Sequence, residues 1–172
     1  EKLSLDAQRL PTTLYGVYKT AAEDVAKVYW NEYGIRSVGL RPHTVFGPGR
    51  DQGMTSQPSV AIEKATKKEK FHVEYGGVLD FQYAPDVAAA FILAARTNVD
   101  GAPVVNINGH VVGVSDFVEI VKAVSGFEDL TYGTNQLPVV YSADAQDWID
   151  LASPPPATGL EIAIAESLEV FS

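Results

Sequence analysis

At 172 residues the chain fits one ordinary domain with a core of its own, and its 46% hydrophobic content is that of a globular protein. A net charge of −9 argues against nucleic acid or an anionic membrane surface as a partner. The complete lack of cysteine excludes a disulfide framework and thiolate metal sites and fits a cytoplasmic protein, while no apolar run reaches the roughly 20 residues of a membrane-spanning helix.

The chain opens on Glu1 rather than Met, without a signal-peptide pattern, and so reads as a piece of a longer polypeptide. Residues 1–11 carry little pattern, and Pro11-Thr12-Thr13 reads as a turn. From about 15 to 33 alanines, valines and charges recur at helical spacing, and Gly34 is placed to end that helix. At its head Tyr15 and Lys19 stand four residues apart, so a phenol and an ammonium are surface neighbours about 5–6 Å apart at Cβ. A fixed cation so close favours the phenolate and lowers a tyrosine pKa by roughly 1–3 units, toward the range where a general acid/base works at neutral pH. An ordinary amphipathic helix can present the same pair.

A strand is expected over 35–41, followed over about 42–56 by loop chemistry centred on Phe46-Gly47-Pro48-Gly49-Arg50-Asp51-Gln52-Gly53. A short helix follows over about 58–68. Its Lys67-Lys68-Glu69-Lys70 end reads as a solvated C-terminus rather than a basic patch. Phe71-His72-Val73-Glu74-Tyr75 and Asp80-Phe81-Gln82-Tyr83 alternate like strands around Gly76-Gly77.

Pro85-Asp86 opens a helix through about 97, residues 103–107 read as a strand, and Ser115 is the expected cap of a helix to about 125. Beyond the stiff Pro154-Pro155-Pro156 connector, Thr158-Gly159-Leu160-Glu161 has capping-box spacing. The helix it introduces carries Leu160, Ile164, Leu168 and Phe171 along one face. The alternation of strands and helices argues for an α/β fold.

Among single residues, Arg41 is expected to pair with a carboxylate in the sheet layer, Asp86 to serve as a helix-start residue, and Trp30 and Trp148 to pack. His43, His72 and His110 are scattered, and no His/Asp/Glu grouping has metal-ligand spacing. Asp144, Asp147 and Asp150 read as a solvated face.

Three segments in this order resemble the extended short-chain dehydrogenase/reductase family, in its NAD-dependent epimerase/dehydratase group. They are Tyr15-Gly16-Val17-Tyr18-Lys19, Arg41-Pro42-His43-Thr44-Val45-Phe46-Gly47-Pro48 and Asp80-Phe81-Gln82-Tyr83-Ala84-Pro85-Asp86-Val87. The helix over 160–171 also resembles the family's C-terminal helix. The resemblance implies the C-terminal part of a Rossmann-like parallel sheet over about 1–45. A small α/β substrate-binding lobe takes up most of 46–172, with some segments returning to the sheet and the N-terminal dinucleotide-binding half absent. It further implies NAD or NADP as cofactor, requiring that missing half, a small-molecule substrate, and a homodimer paired through the Tyr15–Lys19 helix.

In such enzymes the tyrosine exchanges a proton with a substrate hydroxyl or carbonyl while hydride passes to or from the nicotinamide. The lysine lowers the tyrosine pKa and hydrogen-bonds the nicotinamide ribose. Carried over, Tyr15 and Lys19 are catalytic and touch the cofactor. Pro42, His43, Thr44 and Val45 lie beside the nicotinamide, His43 and Thr44 mainly through their backbone, while Thr44, Arg50 and Leu79 border the substrate.

The sequence also departs from the family. The Gly-x-x-Gly-x-x-Gly turn that cradles the pyrophosphate has no counterpart, and Ser4, Thr12 and Thr13 are poor matches to the upstream catalytic Ser/Thr. Thr44 stands where nucleotide-sugar members often carry Asn, and Leu79 where they often carry Arg. Leucine cannot fork a phosphate, which leaves Arg50 as a charge from the neighbouring loop. A nucleotide sugar and a smaller hydroxy/keto compound both remain expected substrates. The alternative expectation is a non-catalytic truncated module that keeps the lobe for ligand binding or assembly.

Overall fold

The fold was analysed in a computed structural model that describes residues 3–172. Helix α1 (Leu14–Tyr33) starts at Thr13, whose extended backbone lets its hydroxyl accept the Gly16 N–H at 3.1 Å. It ends at Gly34, which is left-handed at φ 65°. Next in order are β1 (Gly39–Arg41), β2 (Thr44–Phe46), α2 (Gln57–Thr66), β3 (Phe71–Val73), β4 (Val78–Tyr83) and α3 (Ala84–Arg96). The chain continues through β5 (Val104–Asn106), β6 (His110–Gly113), α4 (Val114–Ser125), β7 (Leu130–Tyr132), α5 (Gln146–Ala152) and α6 (Leu160–Phe171). The α/β class is as expected.

Strand β4 is the centre of a three-stranded sheet, parallel to β2 and antiparallel to β6. Two parallel pairs flank it, β1 with β5 and β3 with β7. Helices α2, α4 and α6 pack on one another and cover a core that includes Phe46, Ile62, Leu79, Phe81, Phe117 and Ile164. Phe81 and Phe117 stack at 4.4 Å, and Phe46 meets Phe117 edge-on at 5.2 Å. The apolar face foreseen on α6 faces this core: Leu160 and Ile164 are buried, with Leu168 and Phe171 packed against it.

A second cluster lies where α3 and α5 cover β1 and β5, with Ala94, Val105, Ile107 and Trp148 at its centre. Helix α1 joins neither core. It buries no residue, and Leu14, Tyr18, Val25 and Tyr29 all face outward.

Several local expectations need correction. Strand β2 lies inside the 42–56 segment read as loop, because Thr44–Phe46 finds β4 as a parallel partner. Gly113 rather than Ser115 precedes the first turn of α4, with extended backbone at φ −66° and ψ 146°. Gly159, not Thr158, takes that place before α6, and no capping box forms. The hydroxyl and N–H of Thr158 instead donate to the two carboxylate oxygens of Asp86, each at 2.8 Å.

Candidate active site

Tyr15 and Lys19 occupy the first turns of α1, on a backbone stiffened by the Thr13 cap. The Lys19 ammonium stands over the Tyr15 ring, 5.2 Å from its centroid. Tyr15 is 72% exposed. Both polar ends are therefore open to an incoming group.

The helix carrying this pair is tied to the sheet by charge. Arg41, at the end of β1, donates from Nε and Nη2 to the two carboxylate oxygens of Glu23, both at 2.7 Å. Arg9 adds contacts to Glu23 at 3.2 Å and to Asp24 at 2.9 Å. The Arg41 hydrogen bonds are the main force holding the Glu23 carboxyl below its ordinary pKa. Arg41 thus pairs with a carboxylate, but with one on helix α1 rather than in the expected sheet layer.

Immediately after Arg41 the chain crosses from β1 into β2 through Pro42 and His43. Pro42 is exposed, His43 and Val45 are half-buried, and Thr44 is 1% exposed. Gln82 fixes this crossing from beneath. Its Oε1 accepts the His43 N–H at 3.2 Å, and its Nε2 donates to the Ile107 carbonyl at 2.9 Å. One buried amide therefore binds the β1–β5 pair to the three-stranded sheet. Nothing in a single sequence distinguishes this glutamine from its strand neighbours, since its partners lie 39 and 25 residues away.

Beside it, Asp80 is 1% exposed. One carboxylate oxygen accepts the Gly109 N–H at 2.7 Å, and among the described residues the other has no hydrogen-bond partner, with the Gln82 side chain nearby. Burial pushes its pKa up, while the Gly109 N–H and the nearby His43 and His110 rings oppose the shift. Gly109 can be nothing larger, because a Cβ there would stand 2.2 Å from the Phe81 carbonyl oxygen.

The substrate-side residues separate. Arg50 donates to the Gln52 carbonyl and, at 3.4 Å, to Thr55 Oγ1, and among the described residues it has no carboxylate partner. Its charge reaches the buried Tyr75 hydroxyl, which has no hydrogen bond among the described residues and whose pKa burial drives well up. Leu79 is 1% exposed in the helix-packed core, so its side chain offers no surface to a ligand. Among the described residues no hydrogen bond or ion pair joins Tyr15 or Lys19 to Pro42, His43, Thr44 or Val45. The structural link between the two groups is the Glu23–Arg41 pair.

A cleft of about 660 Å³ lies between α3, α5 and the 154–157 connector; Gln82, Ile107 and Gly109 line it, whereas Tyr15, Lys19, Arg50, Leu79 and the 42–45 run do not. Among the described residues no group of three or more His, Asp or Glu side chains is placed to hold a metal ion, and no helix is long and apolar enough to cross a membrane.

Residues 2–108 match the model of the NAD dependent epimerase/dehydratase family. A Methanocaldococcus jannaschii protein named provisionally as a UDP-glucose 4-epimerase is 31% identical over 121 residues, which cover 68% of this chain and 39% of that protein. Among solved structures, MoeE5 in complex with UDP-glucuronic acid and NAD superposes with a TM-score of 0.80 at 28% identity, covering 98% of this chain and 59% of that one. The Bacillus cereus UDP-glucuronic acid 4-epimerase, in complex with UDP-glucuronic acid and NAD, shares the fold at a TM-score of 0.82 and 22% identity, over 99% of this chain and 56% of its own. The chain thus spans well under two thirds of each of these relatives. Sequence match and fold agree: the chain belongs to the NAD-dependent epimerase/dehydratase family.

Proposed function

We propose that this chain contributes the acid/base and substrate side of an NAD(P)-dependent epimerase, dehydratase or reductase acting on a nucleotide sugar or a smaller hydroxy/keto compound. The observation that carries the reading is the Tyr15–Lys19 pair at the capped head of α1, in a chain of this family. A bound nicotinamide supplies the carbon that takes up or returns hydride. Tyr15 moves the accompanying proton between its Oη and the substrate oxygen. Lys19, one turn on, offers N–H donors to ribose hydroxyls.

The residues present fit that half of a dinucleotide. Neither Tyr15 nor Lys19 has a hydrogen-bond partner within the described chain, so both can serve a ribose and a reacting oxygen. A pyrophosphate has no glycine-rich cradle in this sequence, and that role falls to a dinucleotide-binding half outside it. The uncompensated charge of Arg50 supports an anionic substrate. Pairing with a second copy is supported by the outward Tyr18, Val25 and Tyr29 of α1.

The test uses the polypeptide that joins this chain to its dinucleotide-binding half. Tyr15→Phe should lower NAD(P)-dependent turnover of UDP-glucose by about 10²–10⁴-fold with cofactor affinity little changed. Retained turnover overturns the role of Tyr15. Ligand binding without turnover in the unmodified protein favours the non-catalytic module instead.

A further inference from the structure

Asn108-Gly109, in the turn between β5 and β6, is the only Asn-Gly step in the sequence. Asn108 is exposed on the wall of the cleft of about 660 Å³, and its side-chain amide has no hydrogen-bond partner among the described residues. Packing forces glycine on the next position, since a Cβ on Gly109 would stand 2.2 Å from the Phe81 carbonyl oxygen. The backbone nitrogen that follows Asn108 is therefore the least hindered that a chain can offer.

Such a step can react with itself. The Gly109 nitrogen gives up its proton and attacks Cγ of Asn108, forming a new C–N bond. The Cγ–Nδ2 bond breaks, and Nδ2 leaves as ammonia with that proton. Water then opens the cyclic imide at either carbonyl, leaving aspartate or its β-linked isomer at 108.

We propose that Asn108-Gly109 is a deamidation site that the fold holds closed, with Asp80 and Gln82 as its two grips. Both stand on one face of β4 and take the chain on either side of Asn108. Gln82 Nε2 donates to the Ile107 carbonyl at 2.9 Å, and Asp80 Oδ1 accepts the Gly109 N–H at 2.7 Å. Ring closure must swing the Gly109 nitrogen toward the Asn108 side chain, and the grips fix both peptide groups about which that swing turns. The carboxylate also retains the proton that has to leave. At 1% exposure it repels the negative charge that grows on the nitrogen.

An opening of this turn is then recorded irreversibly. Either product carries a carboxylate where Asn108 carried a neutral amide, on a cleft wall that also includes Asp86. The β-linked isomer adds a backbone carbon between the Ile107 carbonyl and the Gly109 nitrogen, so both grips cannot be kept at their distances. A molecule that reacts while open does not reclose as before.

The test follows conversion at 108 by peptide mapping during incubation at mildly alkaline pH, in the intact polypeptide that carries this chain, folded and in urea. The folded parent should convert about ten- to hundredfold more slowly than the unfolded one, the size expected of a hydrogen bond to a charged group. Folded Asp80→Ala and Gln82→Leu should both convert faster than the parent, Asp80→Ala the more so. Arg41→Lys, which loosens α1 and not this turn, should stay slow. Equal rates in the folded and unfolded parent overturn the proposal. So do rates in Asp80→Ala and Gln82→Leu no higher than the parent's, or an Arg41→Lys rate as high as theirs, which assigns the protection to overall stability. Slower conversion in Asp80→Ala than in the parent would make the carboxylate a base that promotes the ring, and refutes its role as a grip.

Discussion

Arg41 grips Glu23 with both arms of its guanidinium, Nε on one carboxylate oxygen and Nη2 on the other, at 2.7 Å each. Because α1 buries no residue of its own, this fork does the work that apolar packing does for the other helices. Arg41→Lys keeps the charge but replaces the fork with a point ammonium. The expected loss is about 1–3 kcal/mol of unfolding free energy, read from urea denaturation. No change in the midpoint would show that α1 is held by something else.

The same pair predicts a pH dependence. Its hydrogen bonds to Arg41 hold the Glu23 carboxyl below its ordinary value of 4.5. A depressed acid stabilises the fold fully above that ordinary value and loses the stabilisation as pH falls through its folded value. Thermal stability should therefore drop on acidification below pH 4.5, and Glu23→Gln should remove part of that slope. An unchanged acid limb in Glu23→Gln would assign it to other carboxylates.

Asp80 is expected to behave with the opposite sign. Burial raises its folded pKa above the ordinary 3.8, so ionisation is harder in the fold than in the unfolded chain. Its contribution therefore weakens as pH rises through the folded value. Asp80→Asn keeps an acceptor for the Gly109 N–H without the buried charge, and should be at least as stable as the parent at neutral pH. Asp80→Ala orphans that N–H and should lose about 1–3 kcal/mol. Comparing the two variants by denaturant titration at neutral pH separates charge from hydrogen bond; equal losses would refute the assignment.

What the sequence discloses follows the reach of each signal. The C-terminal end of α1 was legible because Gly34 acts within about a turn of itself, whereas Pro11-Thr12-Thr13 read only as a turn and the Thr13 cap emerges from the fold. The apolar face of α6 was legible for the same reason. Strands β6 and β7 are four and three residues long, too short for alternation to register, and each exists because a distant strand pairs with it. Thr158 fits a local capping rule and is overruled by Asp86, 72 residues earlier. In the candidate site, the Tyr15–Lys19 pair and the Pro42-to-Val45 run are sequence motifs, whereas the Gln82 clamp and the Val140 carbonyl on His43 arise only from the fold.

Gln82 provides a fourth prediction, because it bonds across two sheets at once. Gln82→Leu would leave the His43 N–H and the Ile107 carbonyl without their partner, at about 1–3 kcal/mol for each group that stays dry. Hydrogen exchange should speed up at the His43 amide more than at amides within α4. Uniform acceleration would instead indicate a global loss of stability with no local clamp.

Asp86 and Thr158 form the last testable link. The carboxylate sits in the first turn of α3, where its charge also suits the helix N-terminus, and it receives both the N–H and the hydroxyl of Thr158 at 2.8 Å. The Thr158 carbonyl meets His110 Nε2 at 2.7 Å, so this residue is held on three sides just before α6 enters the core. Thr158→Val removes one of the two bonds to Asp86 and should lose about 1–2 kcal/mol; Asp86→Ala removes both and should lose more. Limited proteolysis should then cut within 153–157 faster in Asp86→Ala than in Thr158→Val, and faster in both than in the parent. If Asp86 were a catalytic acid instead, Asp86→Ala would abolish turnover in the assembled enzyme with neither a stability loss nor a change in cleavage.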